Sequence, residues 1–136
     1  MAESTDKALQ VEMVAADRLV WSGQATMVIA RTTEGDVGIL PHHAPMLSLM
    51  VDGVVDVQTA DGETWVAAVD AGFLSVANNR ISILSEHAEM SHEIDLEKAR
   101  AELERARSAG EYNSEAEAEE AVRHAEARIR AVARAS

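Results

Sequence analysis

The chain has 136 residues, 47% of them hydrophobic, no cysteine and a formal net charge of −12. That length allows one or two small domains with a modest core. The acidic balance speaks against nucleic acid as a partner, and the absence of Cys excludes disulfides, thiolate metal sites and thiol chemistry.

The first ten residues, MAESTDKALQ, have neither a basic n-region nor an apolar h-region, so no secretory signal peptide is expected. Aromatics make up only 3% of the chain, so a core must be built from Val, Ile, Leu, Met and Ala. From Leu9 to about Met90 the pattern is strand-like. Leu9, Val11 and Met13 alternate with Gln10 and Glu12; Met27 and Ile29 follow, and Val55 and Val57 flank Asp56. Trp21, before Ser22-Gly23, reads as a strand end with its ring beneath the sheet. The stretch Glu34 to Met50, EGDVGILPHHAPMLSLM, is a turn-rich connection holding two glycines, a His pair and both prolines of the chain. Its segment from Val37 to Val51 is the longest without Asp, Glu, Lys or Arg, and it falls short of the ~20 apolar residues of a spanning helix. Asp61-Gly62, between Val55-Asp56-Val57 and Trp65-Val66-Ala67, predicts a hairpin with both central residues tolerant of positive φ. Asn78-Asn79 plays the same part before Ile81-Ser82-Ile83-Leu84. Phe73, after Gly72, is assigned to the core. Short strands with turn signals every ~8–12 residues read as an antiparallel β-sandwich, or flattened barrel.

Beyond Met90 the period becomes helical. Asp95 is a good N-cap, with Ile94 placed to staple onto Ala99. Leu96, Ala99, Leu103 and Ala106 then recur at helical spacing up to Gly110, a natural C′ stop. Ser114 and Glu117 form a capping box for a second helix, whose stripe is Ala118, Ala121, Val122, Ala125, Ile129 and Val132. The predicted helices, Leu96–Ala109 and Glu115–Arg134, are about 21 and 30 Å long, and the short link at 110–113 predicts an antiparallel helical hairpin. The organisation is thus a β-sandwich over 1–90 followed by a C-terminal α-helical hairpin over 91–136. Its Ala-rich seam buries little area at about 25 cal/mol per Å², so the arm is expected to be mobile.

Charge divides along the same boundary. Residues 1–90 hold 13 acidic and 4 basic residues, and residues 91–136 hold 11 and 8. Glu115, Glu117, Glu119 and Glu120 open the second helix, and Arg123, Arg128, Arg130 and Arg134 follow. This order compensates the helix dipole, and it equally suits an Arg-bearing arm that meets an acidic partner.

Nothing in the chain reads as catalytic. His42 and His43 are adjacent and point in different directions, so they make no metal pair. His87 and His92 flank Glu86, Glu89 and Glu93 with a spacing that matches no zinc signature, and no metal is expected. Glu34 and Asp36 read as turn residues beside Gly. There is no nucleophile elbow, phosphate loop or dinucleotide fingerprint.

The segments Trp21-Ser22-Gly23, Glu34-Gly35-Asp36-Val37-Gly38-Ile39-Leu40-Pro41, His43-Ala44-Pro45 and Ala71-Gly72-Phe73-Leu74 stand in a known order. Over essentially its full length the chain resembles the epsilon subunit of bacterial F-type ATP synthases. The family commonly has Gly where His42 stands here, and Gly-Gly-Phe-Leu-Glu in place of Ala71-Gly72-Phe73-Leu74-Ser75.

The resemblance implies a sandwich followed by a helical hairpin, and a non-catalytic subunit of the central rotor stalk that couples c-ring rotation to ATP synthesis. It also implies a peripheral position on the cytoplasmic face of the cell membrane, with no membrane insertion and no homo-oligomer. The sandwich would bind the gamma subunit and the c-ring. Glu34, Gly35, Asp36, Gly38, Pro41, His43, Ala44 and Pro45 would form the contact loop, whose pre-shaped turns suit a stiff junction. The hairpin would restrain ATP hydrolysis, with Arg123, Arg128, Arg130 and Arg134 meeting acidic loops of the catalytic beta subunits. No cofactor is required, but some members bind ATP on the hairpin as a regulatory ligand through an Ile/Leu-Asp-x-x-Arg-Ala motif. Ile94, Asp95 and Ala99 match it, together with Glu89, Arg105 and Arg128. Lys98 replaces the motif's Arg and lacks its planar fork, and His124 stands where another Arg is common. The alternative implied role is an ATP-sensing hairpin with a secondary place in the stalk.

Overall fold

The computed structural model describes residues 8–108, 112 and 114–135. Ten strands come first: β1 (Leu9–Ala15), β2 (Leu19–Ala25), β3 (Met27–Thr32), β4 (Gly35–Ile39), β5 (Met46–Met50), β6 (Gly53–Gln58), β7 (Thr64–Val69), β8 (Gly72–Ala77), β9 (Arg80–Ser85) and β10 (Ala88–Met90). A short 3₁₀ turn at Ser91–Glu93 leads into helices α1 (Leu96–Ser108) and α2 (Glu115–Ala135). The strands pair in the order β10-β7-β6-β3-β5-β8-β9-β1-β2, with β4 added on β3. Every pairing is antiparallel except β1 with β9. The sheet curls until its ends meet: Trp21 on β2 lies 6.4 Å, centroid to centroid, from Trp65 on β7. The result is the expected sandwich, close to a closed barrel, with a helical pair against one face.

Strand parity builds the core. Leu9, Val11 and Met13 of β1 point inward, as do Leu74 and Val76 of β8 and Ile81 and Ile83 of β9. The Asn78-Asn79 turn takes φ of 52° and 59°, the pair of left-handed residues that closes a two-residue hairpin. At the other predicted hairpin only Gly62 has positive φ, at 88°. There Gln58 pairs with Thr64, and Thr59 ties the five-residue loop through its hydroxyl and backbone bonds to Glu63.

Two expectations for large side chains are corrected. Trp21 is not at a strand end; it sits within β2, half-buried, and its ring lies over Gly23, where a Cβ would stand only 2.9 Å from the indole. Phe73 is not in the core. Leu74 and Val76 take the inward positions of β8, so parity turns Phe73 to the outer face, where it is 50% exposed.

The helices begin where their caps predict. Asp95 Oδ1 accepts the Lys98 N–H at 3.1 Å, and Ser114 Oγ accepts the Glu117 N–H at 3.2 Å. The Gly110 stop and most of the 110–113 link lie outside the described residues. Ala106 of α1 and Ala118 and Val122 of α2 share a cleft, as the predicted seam requires. A second stripe was not anticipated. Ala127 and Ala131 are also buried, and they pack on Val66 and Ala68 of β7, with Val54 and Ile94 at the margin. Strand β7 is therefore covered on both faces, which is why Val66-Ala67-Ala68-Val69 is an unbroken apolar run.

Candidate functional site

Two regions of the surface carry chemistry. The first is the seam between α2 and the outer face of β6, β7 and β10. That face presents four carboxylates: Asp52, just before β6, Asp56 on β6, Asp70, just after β7, and Glu89 on β10. Helix α2 lays a row of bases against them. Arg123 Nε lies 3.6 Å from Asp52, Arg128 Nε donates to Glu89 at 2.5 Å, and Arg134 Nη2 reaches Asp56 at 2.5 Å. Arg128 also donates to the His124 carbonyl at 2.9 Å, which fixes its side chain along the helix. Three of the four arginines expected to meet an acidic partner are thus engaged with this chain's own sandwich. Arg130 is exposed and lines a 380 Å³ cleft with Asp36, Asp56 and Arg134.

Between these pairs sits His124. Its Nε2 faces Asp52 Oδ2 at 3.4 Å, Asp70 Oδ1 at 3.6 Å and Glu120 Oε1 at 3.7 Å. Burial pushes the Asp70 carboxyl above the ordinary range; His124 and Arg128 oppose that rise, and Asp52 adds to it. His87 Nδ1 lies 3.1 Å from the other Asp70 oxygen. Sequence reasoning did not link Asp52, Asp70 and His124, because they come from three distant segments. The residue just ahead of β6 and the one just after β7 do lie side by side, since Gly53 pairs with Val69, and that hairpin register was the available signal.

The six residues matched to the ATP motif are brought together. Glu89, Ile94, Asp95, Ala99 and Arg128 line a 70 Å³ cleft with Lys98. Arg105, Glu89 and Arg128 line an adjoining cleft of 400 Å³, together with Tyr112 and His124. Glu93, at the root of the arm, accepts the Met90 N–H at 3.0 Å and an Arg18 N–H at 3.2 Å. The backbone bond to Met90, and then Arg18, hold its carboxyl below the usual range.

The second region is the expected contact loop, which divides in two. Glu34 stands in the β3–β4 turn and Gly35 and Asp36 open β4, where Gly35 takes φ 111° and Asp36 meets Arg31 at 3.9 Å. Pro41, His43, Ala44 and Pro45 form the next turn, beyond β4, and Gly38 lies within that strand. The five residues of β4 span about 17 Å, so Glu34 and the Pro41–Pro45 turn lie at opposite ends of that strand. His42 takes φ 68°, and its N–H is bound by Asn79 Oδ1, which holds a non-glycine residue in the left-handed region. His43 N–H reaches the Leu40 carbonyl, completing that turn.

Along β5, away from the second turn, the outer face is exposed and apolar. Leu49, Phe73 and Leu84 stand opposite one another on β5, β8 and β9, and each is about half exposed. Leu47, one step along β5, is 73% exposed. Large side chains thus stand in register and half exposed across three strands.

A sandwich of this topology, carrying a helical hairpin against one face, defines a delta/epsilon-type chain of ATP synthase. Residues 8–91 match the family described as ATP synthase, Delta/Epsilon chain, beta-sandwich domain. The chain is 52% identical to the ATP synthase epsilon chain of Streptomyces avermitilis over 91% of its own length and 94% of that protein. It is 48% identical to the epsilon chain of Rhodococcus jostii over 99% of its own length and 100% of that protein. A chain in the cryo-EM structure of the Euglena gracilis mitochondrial ATP synthase superposes with a TM-score of 0.79 at 23% identity, covering 93% of this chain and 82% of that one, a likeness of fold. The chain belongs to the ATP synthase epsilon chain family. It is a non-catalytic subunit of a multisubunit enzyme, in a family that requires no cofactor. No helix among the described residues is long and apolar enough to cross a membrane.

Proposed function

We propose that this chain is a rotor-stalk subunit that couples the c-ring to the gamma subunit at the cytoplasmic face of the membrane, and that its helical arm restrains ATP hydrolysis. The observation that supports the stalk role is the bare row of Leu49, Phe73 and Leu84. A rigid sheet face with apolar side chains in register offers a partner a stiff, dry contact, as transmission of torque demands. The turn at Pro41–Pro45 leads into β5, where the exposed Leu47 stands between it and that row, and it would supply the c-ring contact.

The inhibitory role is supported by the arginine row. Arg123, Arg128 and Arg134 bind carboxylates of the sandwich in this conformation. Acidic loops of a beta subunit would compete for the same guanidinium groups, so the two docking states exchange like for like. Small residues at the seam, Ala127 and Ala131, keep the apolar cost of release low. Removing residues from Ser91 onward should leave an assembled, coupled complex with altered ATP hydrolysis. An unchanged hydrolysis rate in the truncated complex would refute the restraint.

A second reading, ATP sensing by the arm, is favoured by the meeting of Glu89, Ile94, Asp95, Ala99, Arg105 and Arg128 at two adjoining clefts. The 400 Å³ cleft falls within the range of small-molecule sites, whereas the 70 Å³ cleft takes only a fragment. A bound triphosphate would have to draw Arg128 from Glu89. Titrating the full-length chain with ATP decides this reading: saturation at millimolar concentration or below, lost in Arg128→Ala, supports it, and no saturation removes it.

A further inference from the structure

The cluster at Asp52, Asp70 and His124 is built like a metal site, and it joins the sandwich to the arm. The three ligand atoms all lie within 4.8 Å of one another. His124 Nε2 stands 3.4 Å from Asp52 Oδ2 and 3.6 Å from Asp70 Oδ1. These separations exceed the 2.7–3.2 Å or so of an N–H···O bond. They match the spacing of neighbouring ligands around a tetrahedral ion, about 3.3 Å for bonds near 2.0 Å. Glu120, one turn before His124 on the same helix, puts a third carboxylate 3.7 Å from the same nitrogen.

A separate observation points the same way. The Asp70 side chain is only 8% exposed, and its Oδ2 accepts no hydrogen bond among the described residues. That oxygen faces His87 Nδ1 at 3.1 Å, an ion-pair partner that makes no hydrogen bond to it, while Oδ1 faces His124. A buried carboxylate oxygen left in that state is costly unless a cation completes it. The Asp52 side chain is equally buried, and its Oδ1 accepts the Ala71 N–H at 2.8 Å, which aims Oδ2 at His124. Such an outer bond is how metal-binding carboxylates are held. Arg123 lies 3.6 Å from Asp52 Oδ2 and is more than half exposed, so it is free to turn outward.

We propose that Asp52, Asp70 and His124 bind one divalent cation of the Zn²⁺ class, with Glu120 or His87 as a fourth ligand. One imidazole with carboxylate oxygens suits Zn²⁺ better than Mg²⁺, which takes oxygen ligands and retains its water. Two ligands belong to the sandwich and one to α2, so the ion tethers the arm to the sheet. The site does not depend on the stalk role.

The test is calorimetric titration of the full-length, chelator-treated chain with Zn²⁺ alone, and separately with Mg²⁺. Asp70→Asn and His124→Gln, similar in shape to the native residues, should each weaken Zn²⁺ at least tenfold, while a His42→Gln/His43→Gln double variant leaves it unchanged. X-ray absorption on the Zn²⁺-loaded wild-type chain, which needs no variant to fold, should show only N and O ligands near 2.0 Å with at least one imidazole. One-to-one binding lost in the first two variants establishes the site. Absence of saturable Zn²⁺ binding, equal binding of Mg²⁺, or binding unaffected by Asp70→Asn and His124→Gln overturns it.

Discussion

The two outer faces of the sandwich are built from the same kind of strand but are covered differently. On β6 and β7 the outward residues are Val54, Val66 and Ala68, covered by Ala127 and Ala131 of α2 and rimmed by Arg–carboxylate pairs. On β5, β8 and β9 they are Leu49, Phe73 and Leu84, each about half exposed, at one wall of a cleft whose other wall is Glu120, Arg123 and His124 of α2. Small residues beneath a charged rim make a contact that can open, because the buried area is modest and each ion pair can be exchanged for another. Large apolar residues in register suit a contact that stays closed. Under the proposed function, one domain would carry a releasable face and a permanent one.

The sharpest way to break the bare face is Gly72→Ala. A Cβ there would overlap the Leu84 carbonyl oxygen, a clash with backbone that no side-chain rotation relieves. Chemical denaturation should show a loss of more than ~4 kcal/mol, or no folded protein. Next comes Phe73→Ser. Its ring is half exposed, so the isolated chain should lose no more than about 0.5 kcal/mol, while affinity for the stalk neighbour falls by about 2 kcal/mol or more in a pull-down or interferometry titration. Equal losses in folding and binding would mean that the ring belongs to the core.

On the covered face, Ala131→Leu overfills the contact with Val66 and Ala68. It should cost about 1–3 kcal/mol and speed hydrogen exchange in α2, leaving β1 and β9 protected. The smallest effect concerns the root of the arm. The folded-state pKa of Glu93 is depressed, so its stabilisation is present above the unfolded carboxylate value, near 4.3, and is lost as pH falls through the folded value. Thermal melts should therefore show Glu93→Gln below wild type at neutral pH, with the gap closing as the pH is taken down through 4 and below. A gap that widened in acid would reverse the sign assigned to this group.

The residues that were legible are those whose role is local. The alternation in Leu9-Gln10-Val11-Glu12-Met13 fixes one inward face, the Asn pair closes its turn, and Asp95 and Ser114 cap their helices. The residues matched to the ATP motif come from separate elements and line two adjoining clefts. Phe73 was misjudged because size alone does not say which face of a strand a residue takes; the inward positions of Leu74 and Val76 settle that. Ala127 and Ala131 lie off the stripe through Val122 and Ile129, on a second face that the sheet rather than α1 covers, and one helical period does not reveal two buried faces.

By itself the sequence determined the strand and helix periods, the caps, the tight Asn-Asn turn and the family, since all of these depend on dihedral preferences and spacing within a few residues. Only the tertiary structure decided which partners the arginines take, which face stays bare, and that Asp52, Asp70 and His124 meet. Those outcomes depend on strand register and on how a helix docks, and they bring together residues up to 72 positions apart that no local pattern connects.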